Sequence, residues 1–555
     1  MTLNINNVRS EIIGNEVFFK TPYGDRLMTY ADYTASGKTL KFIEKYLVKL
    51  ESMYANSHTD DSITGKHMTS MVHMAEQKIK ELLNAKKHYV FTVGTGATGA
   101  IHKLNSILGF YYAPNLKKYM ELDAVHVAQR PVVFISSYEH HSNELMWRES
   151  IAEVVVIGLD KNGCFNLEEL KSKTASPKYK GRLKIGSFSA ASNVTGMVTP
   201  TFEIAKIMHK NDGYAFFDFA ASGPYVDIDM CRDEVSYFDG IYLSTHKFLG
   251  GPGGSGILVM NKALYDLFDA PTIAGGGTVD YVSSESYDYT KNVLERERAG
   301  TPGIMQIFRA ALALELKSEL GIETIEKIEQ DYISYSMKRL LKNKNIEILG
   351  HTDPSKRIAI LSFNIKYKEG YLHHKFVAKL LNDLFGIQSR AGCACAGPYG
   401  HTLLGIDNRV SSEYREMIRE GVNSLKPGWV RLNFHYTFTA TEVAFICDAI
   451  EFIAEKGYAF LNEYEMDKSS GLWSHRKFED STELIDQFGI LSGWAVKDLD
   501  VFKSNTIKKE QLMKQYLEDA LKIYHQIVAT TKQEFKHFDL EKMDRLKWYY
   551  VSHLI

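Results

Sequence analysis

Residues 88–110, HYVFTVGTGATGAIHKLNSILGF, combine a strand pattern with a helix pattern. The first six residues are rich in β-branched and aromatic side chains, which favour a strand. A turn containing three glycines follows. After it, apolar residues recur three and four positions apart, which is the spacing of an amphipathic helix. A strand, a glycine-rich turn and a helix in this order predict one unit of an α/β fold.

Six more short apolar runs follow this unit and alternate with segments of helical spacing such as PTFEIAKIMHK (200–210). Near-continuous hydrophobicity in such runs is typical of a mostly parallel sheet that is covered on both faces. We therefore predict an α/β fold with seven strands, whose ligands bind beyond the carboxyl ends of the strands. The six runs are PVVFIS (131–136), EVVVIG (153–158), RLKIGSFS (182–189), YAFFDF (214–219), GIYLS (240–244) and GILVM (256–260).

The chain of 555 residues is longer than one hydrophobic core normally serves. Near Thr301 the pattern changes, and the helical run IMQIFRAALALELKSEL (304–320) leads into a region with the strand patterns RIAILSFNI (357–365) and WVRLNFH (429–435). A long helix is predicted over 508–535. We expect four parts, namely an N-terminal segment (1–35), a large domain (36–300), a small α+β domain (301–456) and a C-terminal helical extension (457–555).

Composition excludes several classes of protein. Apolar residues make up 45% of the chain and charged residues 24%, as in ordinary globular proteins. The net charge of −2 provides no basic field for nucleic acid or a membrane surface, so a small-molecule substrate is expected. The sequence contains no apolar run long enough to span a membrane and no pattern of a secretion signal. Five sparse cysteines do not resemble a disulfide framework, so a cytoplasmic location is expected.

The glycine turn is a candidate phosphate site. Gly94, Gly96 and Gly99 satisfy the pattern G-x-G-x-x-G. Such a turn exposes backbone N–H groups at a helix N-terminus, where a phosphate can bind. A dinucleotide site would also require a second strand with an acidic end about 20 residues on, and residues 111–125 do not form a convincing strand pattern. We favour a phosphate cup to which Thr98 adds a hydroxyl; a plain strand-to-helix turn is the alternative.

Two other predicted strands end in charged residues. Lys247 follows GIYLS together with Ser244 and His246. A lysine at this place can form a Schiff base while its neighbours hold an anion, although most single lysines are simply solvated. Asp218 lies near the end of YAFFDF, where a carboxylate needs a cationic partner. A protonated cofactor nitrogen would be such a partner; a helix cap or a structural ion pair is the alternative.

His140 and His141 follow the predicted strand PVVFIS. Paired histidines can bind a metal, but no second pair of ligands with zinc spacing accompanies them. One of them could instead stack on a flat ring or serve as a hydrogen-bonded loop residue.

Three residues in the smaller region are also candidates. Cys393 and Cys395 lie in a loop of small residues near a cation, Arg390, which favours the nucleophilic thiolate form. A metal site is weakly supported by one C-x-C pair, and a buried inert cysteine is the usual alternative. Arg431 lies within an apolar strand and needs a carboxylate partner, either that of a substrate or an internal glutamate.

Nine motifs in sequence order resemble those of the class V aminotransferase superfamily of fold type I pyridoxal phosphate enzymes. Within it, the sequence is similar to the cysteine desulfurase and selenocysteine lyase branch. The resemblance extends from about residue 30 to residue 454. The motifs are ADYTASG (31–37), GTGATGA (94–100), EHHSN (139–143), SNVTG (192–196), DFAA (218–221), STHK (244–247), AGTP (299–302), RAGCACAGP (390–398) and VRLN (430–433).

The resemblance implies pyridoxal 5′-phosphate as the cofactor of the large domain and a role for each matching residue. Lys247 matches the lysine that binds the cofactor covalently and moves the Cα proton. Asp218 matches the partner of the pyridine nitrogen, which keeps the ring an electron sink. His140 matches a catalytic residue that stacks on the ring. The other implied cofactor contacts are Gly96, Ala97, Thr98, Asn193, Ser244, His246 and Thr301.

The same resemblance implies the substrate contacts and the assembly. Arg431 matches the clamp on the substrate carboxylate, with Asn193 nearby, and Cys395 falls on the position of the cysteine that forms a persulfide. Thr301 matches a phosphate contact from a second subunit, which implies a homodimer. The implied reaction converts L-cysteine to L-alanine with a persulfide on Cys395, and a sulfur-acceptor protein is a further expected partner.

Three positions depart from the family pattern. Ala221 replaces a Gln or His that contacts the phenolic oxygen of the cofactor, Thr59 replaces an arginine, and Cys393 and Ala394 precede Cys395 where a histidine usually stands. These departures leave the cofactor assignment intact but weaken the assignment of cysteine as substrate. The alternative is another class V enzyme, an aminotransferase, an epimerase or a C–S or C–Se lyase acting on a different amino acid. A non-catalytic scaffold is a third possibility, against which Lys247, Asp218 and Arg431 argue.

Overall fold

The computed structural model describes residues 3–57, 59, 61–119, 129–393, 395–496, 508–530 and 546–553. The chain divides into two compact units. The large unit is Ala35–Glu326, and the terminal unit combines Met1–Thr34 with Lys327–Ile555. The four-part division expected from the sequence stays a prediction.

Helices and strands are numbered here in chain order. The helices are α1 Ile5–Ser10, α2 Lys41–Glu51, α3 Ile63–Leu82, α4 Gly96–Ile107, α5 His141–Arg148, α6 Leu167–Thr174, α7 Thr201–Lys210, α8 Val293–Arg296, α9 Ile304–Leu320, α10 Ile322–Leu340, α11 His374–Phe385, α12 Gly397–Leu403, α13 Asn408–Arg419, α14 Ala440–Lys456, α15 Glu483–Asp486, α16 Ile490–Ala495 and α17 Lys509–Thr530. The strands are β1 Phe18–Thr21, β2 Gly24–Leu27, β3 Thr29–Tyr30, β4 His88–Val93, β5 Val132–Ser136, β6 Glu153–Ile157, β7 Lys184–Ser189, β8 Gly213–Asp218, β9 Gly240–Ser244, β10 Gly256–Asn261, β11 Val279–Val282, β12 Tyr287–Tyr289, β13 Ile346–Ile348, β14 Ile360–Tyr367, β15 Gly370–Leu372, β16 Ile387–Gln388, β17 Arg390–Gly392, β18 Trp429–Asn433, β19 Tyr464–Met466, β20 Trp473–His475 and β21 Tyr549–Tyr550.

The large unit is built on a seven-stranded sheet with the order β4-β10-β9-β8-β7-β5-β6. The strands β9, β8, β7, β5 and β6 pair in parallel, and β10 is antiparallel to both of its neighbours. Every residue of β5, β7 and β9 is buried, as expected for strands that are covered on both faces. The predicted α/β class with a mostly parallel seven-stranded sheet is therefore confirmed.

One hydrophobic cluster fixes α4 and α5 against the sheet. Ile101 and Leu104 of α4 and Trp147 of α5 are fully buried with Phe91 and Phe216 of the sheet. Burial of each such side chain contributes roughly 1.5–3 kcal/mol. The two helices whose N-termini face the carboxyl edge of the sheet are therefore anchored along their length.

The terminal unit contains a second sheet with the order β17-β18-β14-β15-β21, in which β13 also pairs with β14. The long helix predicted in the extension is present as Lys509–Thr530, and residues 531–535 of that prediction lie outside the described residues. The extension also contributes strands, because β19 pairs with β20 and β21 pairs in parallel with β15. Among the described residues, none of the helices combines the length and apolar character that a membrane span requires.

Candidate active site

The carboxyl edge of the large sheet carries the predicted lysine and aspartate. Asp218 is the last residue of β8, and Lys247 closes a 3₁₀ turn directly after β9. The two strands are parallel neighbours, with Asp218 opposite Tyr242 in the register. The positive charge of Lys247 acts on Asp218. The structure therefore brings these two predicted residues together, as the rule for ligand sites in α/β sheets requires.

Asp218 is a buried carboxylate that fits a cationic ring nitrogen. Only 4% of the residue is exposed, and burial raises its pKa. The backbone N–H of Ala220 donates to Oδ1 at 2.8 Å, and this bond and the charge of Lys247 oppose the rise. A protonated pyridine nitrogen is the kind of partner that makes a buried carboxylate favourable.

The residues of the predicted phosphate cup lie at the start of α4. Gly96 has a φ of +59°, and a Cβ added there would lie 2.8 Å from Ser244 Oγ. Ala97 N–H donates to Ser244 Oγ at 2.9 Å, and the hydroxyls of Thr98 and Ser142 are 2.8 Å apart. Backbone N–H groups and hydroxyls at a helix N-terminus suit a phosphate. A side chain at Gly96 would therefore require the Ser244 hydroxyl to shift.

His246 adds a neutral imidazole to the same edge. Burial, together with the charge of Lys247, lowers the pKa of His246 to about 4. The ring is therefore uncharged at neutral pH and still carries one N–H that can donate to a phosphate oxygen.

His140 is held in a defined orientation between β5 and α5. Its Nδ1 accepts a hydrogen bond from the backbone N–H of Ser142 at 3.1 Å, and it is the N-cap of α5. Because Nδ1 is an acceptor, the proton of the neutral ring lies on Nε2.

The two remaining predicted cofactor contacts lie in loops of the large unit. Asn193 is buried in the turn after β7. Thr301 is exposed, and its hydroxyl accepts a hydrogen bond from Asn56 at 3.3 Å.

Arg431 of the terminal unit has an internal partner that the sequence did not reveal. Its Nη2 donates to Asp32 Oδ1 at 3.2 Å, and Arg390 Nε donates to Asp32 Oδ2 at 3.1 Å. The two arginines stand directly opposite each other on β17 and β18, where like charges are unfavourable. Burial lowers the pKa of Arg431 and Asp32 opposes this. The internal carboxylate is thus an aspartate from the quoted motif ADYTASG, 399 residues away.

The cysteine loop lies in the same unit. Cys393 and Cys395 are both exposed free thiols, and Cys395 has a left-handed φ of +57°. Ala396 N–H donates to the carbonyl of Cys393 at 3.2 Å. The charge of Cys395 raises the pKa of Arg431, so the structure places these two predicted residues within electrostatic reach of each other.

Two departures from the family pattern are visible as well. Ala221 is buried and offers only a methyl group, and Thr59 donates its hydroxyl to Asp61 at 3.2 Å. Within the described part of the chain, no group of three or more His, Cys, Asp or Glu side chains could hold a metal ion.

Comparison with known proteins identifies the family. The model of the aminotransferase class-V family matches residues 29–444. A probable cysteine desulfurase of Halalkalibacterium halodurans is 29% identical over 72% of this chain and 92% of its own length. One from Streptomyces coelicolor is 23% identical over 78% of this chain and 93% of its own length.

Solved structures show the same fold. The apo structure of a cysteine desulfurase from Thermococcus onnurineus superimposes with a TM-score of 0.63 at 21% identity, covering 81% of this chain and 98% of that one. The chain belongs to the class V aminotransferase family and has the fold of the fold type I pyridoxal phosphate enzymes. It is accordingly a pyridoxal phosphate-dependent enzyme, and the edge described above has the donors and the buried carboxylate that this cofactor needs.

Proposed function

We propose that this enzyme is a cysteine desulfurase that converts L-cysteine to L-alanine and retains the sulfur as a persulfide on Cys395. The observation that carries the proposal is an exposed thiol with a left-handed backbone, within electrostatic reach of a buried arginine. The thiol can accept a sulfur atom, and the arginine can hold the carboxylate of the amino acid that supplies it. The names of the relatives at 29% and 23% identity support the same activity.

The large unit would hold the cofactor. Lys247 would bind its aldehyde, Asp218 would hold a proton on its ring nitrogen, and His140 would stack on the ring. The phosphate is bound by the N-terminus of α4 with Ser244, and by His246. When bound, pyridoxal phosphate supplies an electron sink that makes the Cα–H bond of the substrate acidic. The amine of Lys247, which the incoming substrate amine would release from the aldehyde, would then take the Cα proton as a general base.

The terminal unit would bind the substrate and take its sulfur. Arg431 would bind the substrate carboxylate, and Asp32 accepts one hydrogen bond from its guanidinium. Asn193 is a further proposed substrate contact. The Cys395 thiolate attacks the substrate sulfur, so that an S–S bond forms as the Cβ–S bond breaks. L-Cysteine and the enzyme thiol thus give L-alanine and the enzyme persulfide.

The test uses Cys395→Ser with Cys393→Ser as the matched control. With L-cysteine and a reductant, wild type and the control are expected to form alanine and sulfide, and Cys395→Ser neither. Mass spectrometry of the protein without reductant is expected to show one added sulfur atom that Cys395→Ser lacks. The absorbance of bound cofactor, unchanged in both variants, shows that the site is intact. Undiminished alanine formation by Cys395→Ser would contradict the proposal.

A second candidate is another class V activity on a different amino acid. The buried methyl group of Ala221, which cannot form a hydrogen bond, favours it, because a desulfurase usually has a polar contact at this position. An aminotransferase, an epimerase or a different C–S or C–Se lyase would use Lys247, Asp218 and Arg431 but not Cys395. Spectral screening of amino acids against the bound cofactor distinguishes these activities from the first.

We infer a homodimer from the surface near Thr301. Gly300 N–H donates to the carbonyl of Gly276 at 2.9 Å, which joins this loop to a segment with apolar side chains in solvent. Large exposed patches of this kind mark interaction sites. They include Phe268 (98% exposed), Ile273 (64%), Tyr281 (55%), Val282 (65%) and Tyr287 (61%). Light scattering is expected to give twice the chain mass for wild type and less for Phe268→Asp; a wild-type monomer would contradict the inference.

Two further expectations complete the proposal. The exposed thiol of Cys395 is accessible to a sulfur-acceptor protein. None of the five cysteines, all of which lie in the described part of the chain, forms a disulfide, which suits a reducing cytoplasm.

A further inference from the structure

Glu139 is a buried acid directly before His140 that the proposed reaction does not use. Only 2% of the residue is exposed. Its Oε1 accepts from Ser136 N (3.1 Å), Ser136 Oγ (2.6 Å) and Ser189 N (3.0 Å). Its Oε2 accepts from Ser189 N (3.0 Å), Ser189 Oγ (2.6 Å) and Asn143 Nδ2 (2.7 Å). One carboxyl group therefore ties together the ends of β5 and β7 and the first turn of α5.

The hydrogen bonds continue from α5 towards the strands that carry the charged site residues. Ser187 Oγ donates to Asn143 Oδ1 at 2.6 Å, and Asn143 Nδ2 also donates to the Ser187 carbonyl at 3.1 Å. The hydroxyl of Tyr242 lies 3.1 Å from Ser187 Oγ. Tyr242 is on β9, opposite Asp218 and five residues before Lys247. An unbroken buried network thus links the turn of His140 to β9.

We propose that Glu139 is a positioning residue that fixes the His140 ring relative to strands β8 and β9, and so the plane in which the cofactor ring lies. The proposal rests on the proposed stacking role of His140. The turn is held on both sides of His140, by Glu139 before it and by Asn143 after it. With both ends anchored and Nδ1 bonded to Ser142 N–H, the ring has little freedom to rotate.

The network requires a carboxylate and not merely a side chain of the same size. Each neighbour of the two oxygens is an N–H or O–H donor. A glutamine would place its own N–H groups against Asn143 Nδ2 or Ser189 N–H, donor against donor, and a buried donor without an acceptor is unfavourable. Burial raises the pKa of Glu139 to about 7 while these donors oppose the rise. The group is therefore mostly ionised in mildly alkaline solution.

Glu139→Gln tests the proposal, with Glu329→Gln as the matched control. Glu329 is an equally buried glutamate of the terminal unit that accepts from the backbone N–H of Tyr436. Each holoenzyme is measured at mildly alkaline pH without any substrate. The readouts are the visible circular dichroism of the bound cofactor, which depends on its orientation in the site, and the dissociation constant for pyridoxal phosphate.

Glu139→Gln is expected to lose at least half of the visible dichroism amplitude and to bind the cofactor about tenfold more weakly, the loss of one charge-assisted hydrogen bond. Glu329→Gln is expected to match wild type. A folded Glu139→Gln protein with wild-type dichroism and affinity would overturn the proposal.

A milder variant keeps the test decisive if Glu139→Gln does not fold. Ser189→Ala removes one hydroxyl donor at 2.6 Å and leaves the backbone N–H in place. It is expected to reduce the dichroism in the same direction by a smaller factor, and unchanged dichroism in this variant would equally overturn the proposal. Because cysteine is absent from the assay, these results are independent of whether the enzyme is a desulfurase.

Discussion

Replacement of Gly96 by alanine is expected to weaken the binding of pyridoxal phosphate strongly. The residue has a φ of +59°, which an L side chain adopts only with strain, and the new Cβ would lie 2.8 Å from Ser244 Oγ. The serine hydroxyl accepts a hydrogen bond from the N–H of Ala97 and is part of the proposed phosphate cup. The alanine is therefore expected to disturb both the backbone and a proposed phosphate ligand.

The size of the effect follows from two contributions. The left-handed backbone costs an alanine roughly 1–2 kcal/mol, and the displaced hydrogen bond between Ala97 and Ser244 contributes about 1 kcal/mol. The variant loop can relax when the site is empty, but it must return to this geometry to hold the phosphate. The sum of about 2–3 kcal/mol therefore appears in the dissociation constant, as an increase of about 30- to 150-fold.

The assay is a titration of apoenzyme with pyridoxal phosphate, followed by visible absorbance. Gly109→Ala is the matched control, because Gly109 has a similar φ of +68° just past the far end of α4, and a Cβ there has no heavy atom within 4 Å. The control is expected to bind pyridoxal phosphate within about threefold of the wild-type affinity, because its added methyl group contacts no other atom. Wild-type affinity in Gly96→Ala, or an equal loss in both variants, would refute the reasoning.

Two further predictions concern a substrate contact and a buried charge. Arg431→Lys is expected to raise the KM for L-cysteine by about 30-fold, because a lysine cannot replace the planar fork that binds a carboxylate; steady-state kinetics measure this, and an unchanged KM would exclude Arg431 as the clamp. Lys317 is 6% exposed and burial lowers its pKa to about 8. Below pH 8 Lys317 is protonated in the folded protein, and the cost of burying that charge lowers the free energy of unfolding by its full amount. As the pH rises from 8 towards 10.5, the pKa of this lysine in the unfolded chain, the buried lysine loses its proton and the cost disappears. Relative to Lys317→Met, the free energy of unfolding of wild type is expected to rise by up to about 3 kcal/mol over that interval. Thermal melts of both proteins measure this as a Tm difference that shifts in favour of wild type with rising pH. A Tm difference that does not depend on pH would contradict the assignment.

The strands of the large sheet were predictable because their burial is local information. β5, β7 and β9 are buried along their whole length, so their sequences are nearly continuous apolar runs. The strand order was not predictable. β10 lies between β4 and β9 and is antiparallel to both, an arrangement that depends on tertiary packing. The two-residue pairing of β21 with β15 leaves too short a pattern to detect.

In the candidate active site, too, the features encoded by local sequence were predictable and those that depend on tertiary packing were not. The position of Asp218 and Lys247 was predictable because each lies at the end of a strong strand pattern, and strand ends meet at one edge of the sheet. Asp32 was not, because its partner Arg431 is 399 residues away and a single sequence does not reveal such pairs. Glu139 was part of a quoted motif, but its donors Ser136 and Ser189 come from two strands whose pairing had to be known first.

The attachment site of the cofactor tests the central claim most directly. The yellow holoenzyme is reduced with borohydride, digested, and its peptides are examined by mass spectrometry for a reduced pyridoxyl adduct. We expect the adduct on Lys247 alone, and none on Lys247→Ala treated in the same way. An adduct on another lysine, or a protein that stays colourless and unlabelled after reconstitution, would contradict the account.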